Sequence, residues 1–314
     1  MSKTFTDAVR HTMHGPTMGS RWTAVFYAAP GLHKEALQMA LQATVAQVDA
    51  QMSTWRDDSE LMRLNQVPVG IWCPVSPELL QVLTLGLAVG RTTQGTFDIG
   101  MGDATQAWGF GQQAPDAHRI RQAMRAQRRP AYELLEISGQ QVRKIGPITL
   151  DLNGIAKGYG VDRLDETLKA HGIQAALVGI DGEMRALGLR PDSEPWTIAI
   201  EAPDTEYRSA HAVLSLESAA VATSGDYRHW VDVGEHRLAH TIDPRRGAPL
   251  RESPASVTVV TASCAEADAW ATALMVLGAE EGKKLAIQQG ISALFLLRSK
   301  DQTLRTVPCG PVFA

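Results

Sequence analysis

The stretch "EADAWATALMVLG", residues 266 to 278, has the composition of a buried helix, yet Asp268 and Thr272 stand one turn apart on the same side of it. Ser263-Cys264-Ala265-Glu266 matches a capping box, with the serine accepting from a first-turn amide and the glutamate reaching back, so Glu266 reads as structural. Asp268 lies past the first turn, where the helix dipole gives it little help. Its neighbours are alanines, a tryptophan and "LMVLG", and burial without a partner is costly. Either this face is exposed, or a cation sits on it. A carboxylate and a hydroxyl are hard oxygen donors, better suited to magnesium or calcium than to zinc. Two such groups do not complete a coordination shell. Backbone carbonyls, water or a substrate phosphate must supply the rest.

A phosphate directs attention to "ITLDLNGIAKGYGVD", residues 148 to 162. A strand ending at Asp151 runs into glycine and then a helix bearing Lys157, which sets free amides and an ammonium together at a helix N-terminus. It is not a Walker loop, which needs Gly-Lys-Ser or Gly-Lys-Thr after four intervening residues; a strand-to-helix turn with a solvated lysine is the plain alternative. "GTFDIGMGDATQAWGFG", 95 to 111, places Asp98 after an aromatic in a glycine-rich stretch. Residues 109 to 114 formally fit the dinucleotide fingerprint, but no strand precedes them and Pro115 stands where a helix should run, so that motif is rejected. The stretch is still suited to wrapping a flat ligand. In "HTIDPRRGAPL", His240 comes three residues before an Asp-Pro turn closed by Gly247, and it qualifies as a general base where phosphate chemistry occurs beside it. His236 and His240 have helical metal spacing but no zincin glutamate, and they lie among strand signals, which argues against zinc. Ser224-Gly225-Asp226 reads as an architectural turn.

These groups must be held by a scaffold. A strand at 21 to 29 and a long helix at 33 to 52 open the fold, Asp57 or Asp58 caps a short helix, and a further helix spans 76 to 95. Residues 96 to 117 show no period and read as a long loop or a site. From 130 onward short strands follow one another with turn residues between them, interrupted by the glycine-bounded helix after Asp151. The chain ends in a helix at 279 to 289 and a hairpin, "SALFLLRS" with "TLRTVPC". Hairpins with inserted helices predict an α+β fold of largely antiparallel sheets, not a doubly wound parallel one.

The chain has 314 residues, 30 Lys and Arg against 34 Asp and Glu, and no long basic run, so nucleic-acid binding is not expected. Cys73, Cys264 and Cys309 are scattered without metal or disulfide spacing, which suits a reducing compartment. Residues 1 to 16 read as a flexible leader without an apolar core, and no later segment is apolar enough to span a bilayer. The expected location is cytoplasmic, or periplasmic if a leader has been removed.

Eight stretches in order resemble the FAD:protein FMN transferases, the ApbE family: "TMGSRW", "MSTW" with "SELMRLN", "FDIGMG" with "WGFG", "LDLNGIAKGYGVD", "WTIAIEAP", "AVATSGDY", "HTIDPRRGAP" and "ADAWATALMVLG". The resemblance covers about residues 17 to 300 and implies one domain over 17 to 314, of one or two lobes, with an α+β fold related to the T-fold. It implies a magnesium-dependent enzyme that takes the FMN half of FAD, joins it by a phosphoester to a threonine or serine hydroxyl of a flavoprotein, and releases AMP. The metal groups it implies are Asp268, Thr272 and the carbonyl of Gly154. The FAD contacts it implies are Met18, Trp55, Thr96, Phe97, Asp98, Asp151, Lys157 and Ile242. An aromatic at 55 can stack on a flat ring and Lys157 can neutralise phosphate. Trp55 replaces a common tyrosine, Gly154 a more usual alanine or serine, and Ala271 stands where some members carry a further acid, which bears on a second metal. With Lys157 beside the pyrophosphate, His240 is the expected base. The acceptor would be an FMN-binding domain with a short Ser/Thr motif, which this chain lacks. Two other readings are hydrolysis of FAD to FMN and AMP, and FAD carriage without turnover; metal groups and a lysine are superfluous for carriage, and Trp55 would shield the phosphate from water.

Overall fold

The computed structural model describes residues 8–204, 206–228, 230–233, 236–251, 253–299 and 303–313. The chain opens with an antiparallel hairpin, β1 (Val9–Thr17) and β2 (Ser20–Ala28), in full register. Its two-residue turn, Met18-Gly19, has φ of 45° and 69°, the mirror-image turn that matches strand twist. Residues 9 to 16 of the expected flexible leader are therefore strand, and its residues 1 to 7 lie outside the described residues. Met13, Gly15 and Thr17 alternate inward along β1 and bury that face.

There follow α1 (Lys34–Met52), α2 (Glu60–Gln66), β3 (Trp72–Pro74), α3 (Pro77–Thr92), α4 (Gly102–Ala107), α5 (Ala117–Arg125), α6 (Ala131–Leu134), β4 (Leu135–Ser138), β5 (Gln141–Lys144) and α7 (Ala156–Ala170). Next come β6 (Ala175–Ile180), β7 (Glu183–Leu187), β8 (Trp196–Glu201), β9 (Ala210–Leu216), β10 (Ala220–Gly225), β11 (Trp230–Val233), β12 (His236–Ala239), β13 (Ile242–Asp243), β14 (Ala248–Pro249) and β15 (Ser256–Thr261). The last elements are α8 (Cys264–Gln288), β16 (Ser292–Arg298) and β17 (Leu304–Cys309).

Eight strands form one sheet in the order β1, β2, β6, β7, β10, β15, β16, β17, and every neighbouring pair is antiparallel. Period-2 alternation divides its residues between two faces. Ala222, Val257, Val259, Ala293 and Phe295 pack under α8 and α3, while Trp22, Phe26, Val178 and Ile180 pack under α1 and α7. On the other face, Val221, Val260, Leu294 and Leu296 meet Trp196, Ile198 and Leu214 of the β8–β9 hairpin. The α+β class and antiparallel pairing expected from the sequence are therefore present.

Several local expectations are corrected. Neither Asp57 nor Asp58 caps α2; Ser59 Oγ accepts from Met62 N at 3.1 Å. The aperiodic stretch after residue 95 contains α4, too short for a helical period to show. "ITLDL" joins no named strand and makes a single bridge, Met101 to Thr149. "AYELLEIS" divides after Pro130 into the one-turn α6 and then β4. The helices expected on either side of Gly278 meet there in a kink, with φ 78° and ψ 174°.

Candidate active site

Two helices cross where a glycine of one allows it. A Cβ on Gly158 of α7 would lie 2.3 Å from the Cys264 carbonyl oxygen at the start of α8, so only a residue without a side chain fits. Asp162, one turn further along α7, accepts from Cys264 N at 2.8 Å and from Ala265 N at 2.9 Å. The first two amides of α8 are thus satisfied by another helix. Ser263 Oγ takes Glu266 N at 3.2 Å as the capping box requires, but among the described residues the Glu266 carboxylate accepts no hydrogen bond, so only half of that box forms.

This crossing buries Asp268, which is 6% exposed. Its Oδ2 accepts from Gly158 N at 3.1 Å, and no described residue donates to Oδ1. Burial first, and the Glu183 charge second, push the Asp268 carboxyl well above the usual carboxylate range. The polar-edge reading of this helix face is therefore excluded, since the acid lies inside. Thr272 follows one turn later, and its Oγ1 sits 3.2 Å from Ser224 Oγ on β10. Gly154, in the turn before α7, faces it: a Cβ there would stand 3.1 Å from Thr272 Oγ1 and 3.3 Å from the Phe97 ring. Gly154, Asp268 and Thr272 are thus assembled by the α7–α8 junction.

Lys157 projects from the same first turn, and its Nζ lies 2.6 Å from Asp181 Oδ2. Burial works against the ammonium, but Glu183, Asp181 and Asp268 outweigh it and raise its pKa. Glu183, on β7, is itself buried, accepts from Gly182 N at 3.2 Å, and is raised by that burial. Met18 reaches the junction from the β1–β2 turn: a Cβ on Gly160 would lie 3.0 Å from its methyl.

A second group surrounds α4. Asp98 Oδ1 accepts from Gly100 N at 2.8 Å and Ala131 N at 3.1 Å, and burial raises its pKa. Asp151 is tied to this loop by its amide on Ile99 O at 2.8 Å, and its carboxyl, also raised by burial, takes Asn153 N at 2.8 Å. Ile242 packs on Met101, Ala104 and Ala107. His240 stands edge-on to Phe110, ring centroids 6.4 Å apart. Trp108 fastens the same loop through Nε1 to Gly247 O at 2.8 Å. Asp151 to Gly154 is the continuous turn that links this group to the helix junction.

Two expected contacts have committed side chains and amides. Thr96 Oγ1 and N donate to Thr93 O at 3.0 and 3.2 Å, Phe97 N donates to Thr93 Oγ1 at 3.2 Å, and the Phe97 ring is buried in the core beneath Gly154, so a ligand would meet their carbonyls. Trp55 is 59% exposed, with the neighbouring Thr54 carbonyl held by Gln112. Gly109 has φ of 84° and packs on Pro115, in line with rejecting a dinucleotide loop. Sequence reading passed over Asp162, Asp181 and Glu183, and took Ser224 as architectural. Two acids within the four residues "IDGE", one in the turn and one opening β7, were the available signal.

Among the described residues no three His, Cys, Asp or Glu side chains gather as a metal set. A cation at the junction would meet one carboxylate, one hydroxyl and a backbone carbonyl, all hard donors. A buried acid, a hydroxyl and a lysine thus meet at the first turn of α7 on an α+β scaffold, where the amides of Ile155 and Ala156 are taken by Leu152 O and that of Gly158 by Asp268. The ApbE family model matches residues 18–295. A FAD:protein FMN transferase of Vibrio cholerae is 37% identical over 92% of this chain and 88% of its own length. One from Escherichia coli K12 is 31% identical over 92% and 84%. The solved flavin transferase ApbE from Vibrio cholerae superposes with a TM-score of 0.83 at 35% identity, covering 96% of this chain and 97% of that one. The apo flavinyl transferase ApbE of Pseudomonas stutzeri gives 0.83 at 36% identity, covering 96% and 95%. The chain belongs to the ApbE family, and it is a transferase enzyme.

Proposed function

We propose that this enzyme transfers the FMN moiety of FAD to a threonine or serine hydroxyl of a flavoprotein acceptor, with magnesium, releasing AMP. The observation that carries the reading is Asp268, a buried carboxylate with one oxygen unused by the described residues, one turn before a hydroxyl and beside the Lys157 helix. Burying such an acid is costly without a cation, and the oxygen donors of Asp268, Thr272 and Gly154 fit magnesium. A bound magnesium ion would supply Lewis-acid withdrawal of charge from the pyrophosphate.

The chain's own residues do the rest. Lys157 neutralises developing phosphate charge, and the Asp268–Gly158 bond keeps the acid in place beside it. Met18, Trp55, Asp98, Asp151 and Ile242, with the carbonyls of Thr96 and Phe97, line the path of the dinucleotide. His240 accepts the proton of the acceptor hydroxyl as its oxygen bonds to the FMN-side phosphorus; the bond from that phosphorus to the bridging oxygen breaks, and AMP leaves. The acceptor is an FMN-binding domain with a Ser/Thr motif.

Incubation with FAD, magnesium and such an acceptor, read by mass spectrometry, tests this. Addition of one FMN to the acceptor is the expected result. Release of FMN and AMP at the same rate without acceptor would favour hydrolysis instead.

A further inference from the structure

Lys157 is held by a strained turn on another element. Its partner Asp181, with Nζ to Oδ2 at 2.6 Å, opens the two-residue turn between β6 and β7, where Ile180 pairs with Glu183. Asp181 has φ of 61°, a left-handed conformation that glycine takes freely, that aspartate and asparagine enter at a smaller cost, and that other residues avoid. Gly182 follows it instead of occupying that position. Backbone strain of this kind persists where the surroundings over-determine it, and here it accompanies an ion pair to a half-buried ammonium. The other acids facing Lys157 are Glu183 and Asp268. Without Asp181 the ammonium would fall back on these two, and so on the carboxylate assigned to magnesium.

The geometry points to Asp181 as a positioning residue: its carboxylate holds Lys157 on the β6–β7 side, presented to the pyrophosphate of FAD and kept off Asp268. This rests on the phosphate-binding reading of Lys157 above. It is a role in arranging the lysine, with the chemistry left to the groups already named.

Equilibrium binding of FAD in the presence of magnesium, on Asp181→Asn, Lys157→Met and the double variant, tests it. Asparagine tolerates the left-handed conformation and removes only the charge. Asp181→Asn should weaken FAD binding about tenfold, the order expected for losing a charge-assisted hydrogen bond. Lys157→Met should weaken it at least as much, and the double variant no further. Asp181→Gly, which relieves the backbone, should lose the same affinity with no fall in melting temperature, an outcome that mere structural damage would not produce. Unchanged or tighter binding by Asp181→Asn, or losses that add in the double variant, would overturn the assignment. If Lys157→Met binds FAD like the parent, the phosphate reading of Lys157 fails and this inference with it. A loss in Lys157→Met with none in Asp181→Asn sinks the inference alone.

Discussion

The backbone amide of Gly158 donates to the Asp268 carboxylate at 3.1 Å, so the helix that carries Lys157 also fixes the buried acid of its neighbour. Any displacement of α7 against α8 moves both groups at once. The same glycine lies 2.3 Å, at its missing Cβ, from the Cys264 carbonyl. Gly158→Ala should therefore push the helices apart and destabilise the protein by about 1–3 kcal/mol, the usual range for overpacking. Urea denaturation checks the stability. FAD binding should weaken in parallel, and a variant of parental stability would show that the crossing has room to spare.

Asp268→Ala and Asp268→Asn both remove the negative charge, while asparagine keeps the acceptor for Gly158 N. Each should lower FMN transfer at least about a hundredfold, since a metal's charge stabilisation is worth several kcal/mol. Asp268→Asn should hold its melting temperature better than Asp268→Ala. Undiminished transfer in either variant, assayed over a magnesium titration, removes Asp268 from the metal assignment.

A general base contributes roughly a hundredfold or more. His240→Ala should lose about that much in kcat. Full kcat across neutral pH would dismiss His240 as the base.

His11 gives a pH effect on stability remote from the chemistry. Its ring stacks on Phe26 at 5.3 Å between centroids, and Nε2 is buried without a partner among the described residues. Burial, then the Lys34 charge, lowers its pKa below the ordinary 6.5. The unfolded chain thus takes up the proton more readily, so this contribution is intact above about pH 6.5 and is lost as pH falls through the folded value. Melting temperatures at pH 7.5 and 5.0 should diverge less in His11→Phe than in the parent. Equal divergence in the two proteins would remove His11 as the cause.

Much of the fold was legible because burial writes its period into the sequence. The β2 strand, α1, α3, α7 and the closing β16–β17 hairpin are all anticipated, with Ser263 as a cap. The α4 helix was not, because six residues are fewer than two turns and glycines flank them. The pair Asp268 and Thr272 stood out as polar groups on an apolar helix. Asp162, Asp181 and Glu183 did not, because a charged residue in an amphipathic helix or a tight turn looks solvated until the packing is seen. Sequence spacing also says nothing of Gly158 meeting Cys264, residues brought together only by the sheet that supports both helices.

The Gly158 amide has a further use. It is buried at the crossing of two helices that rest on the central strands β6, β7, β10 and β15. Its exchange with deuterated solvent should await the opening of that crossing, not the fraying of a surface turn. The proton that tethers Asp268 is therefore a natural clock: the time it takes to leave measures how rarely the α7–α8 crossing comes apart.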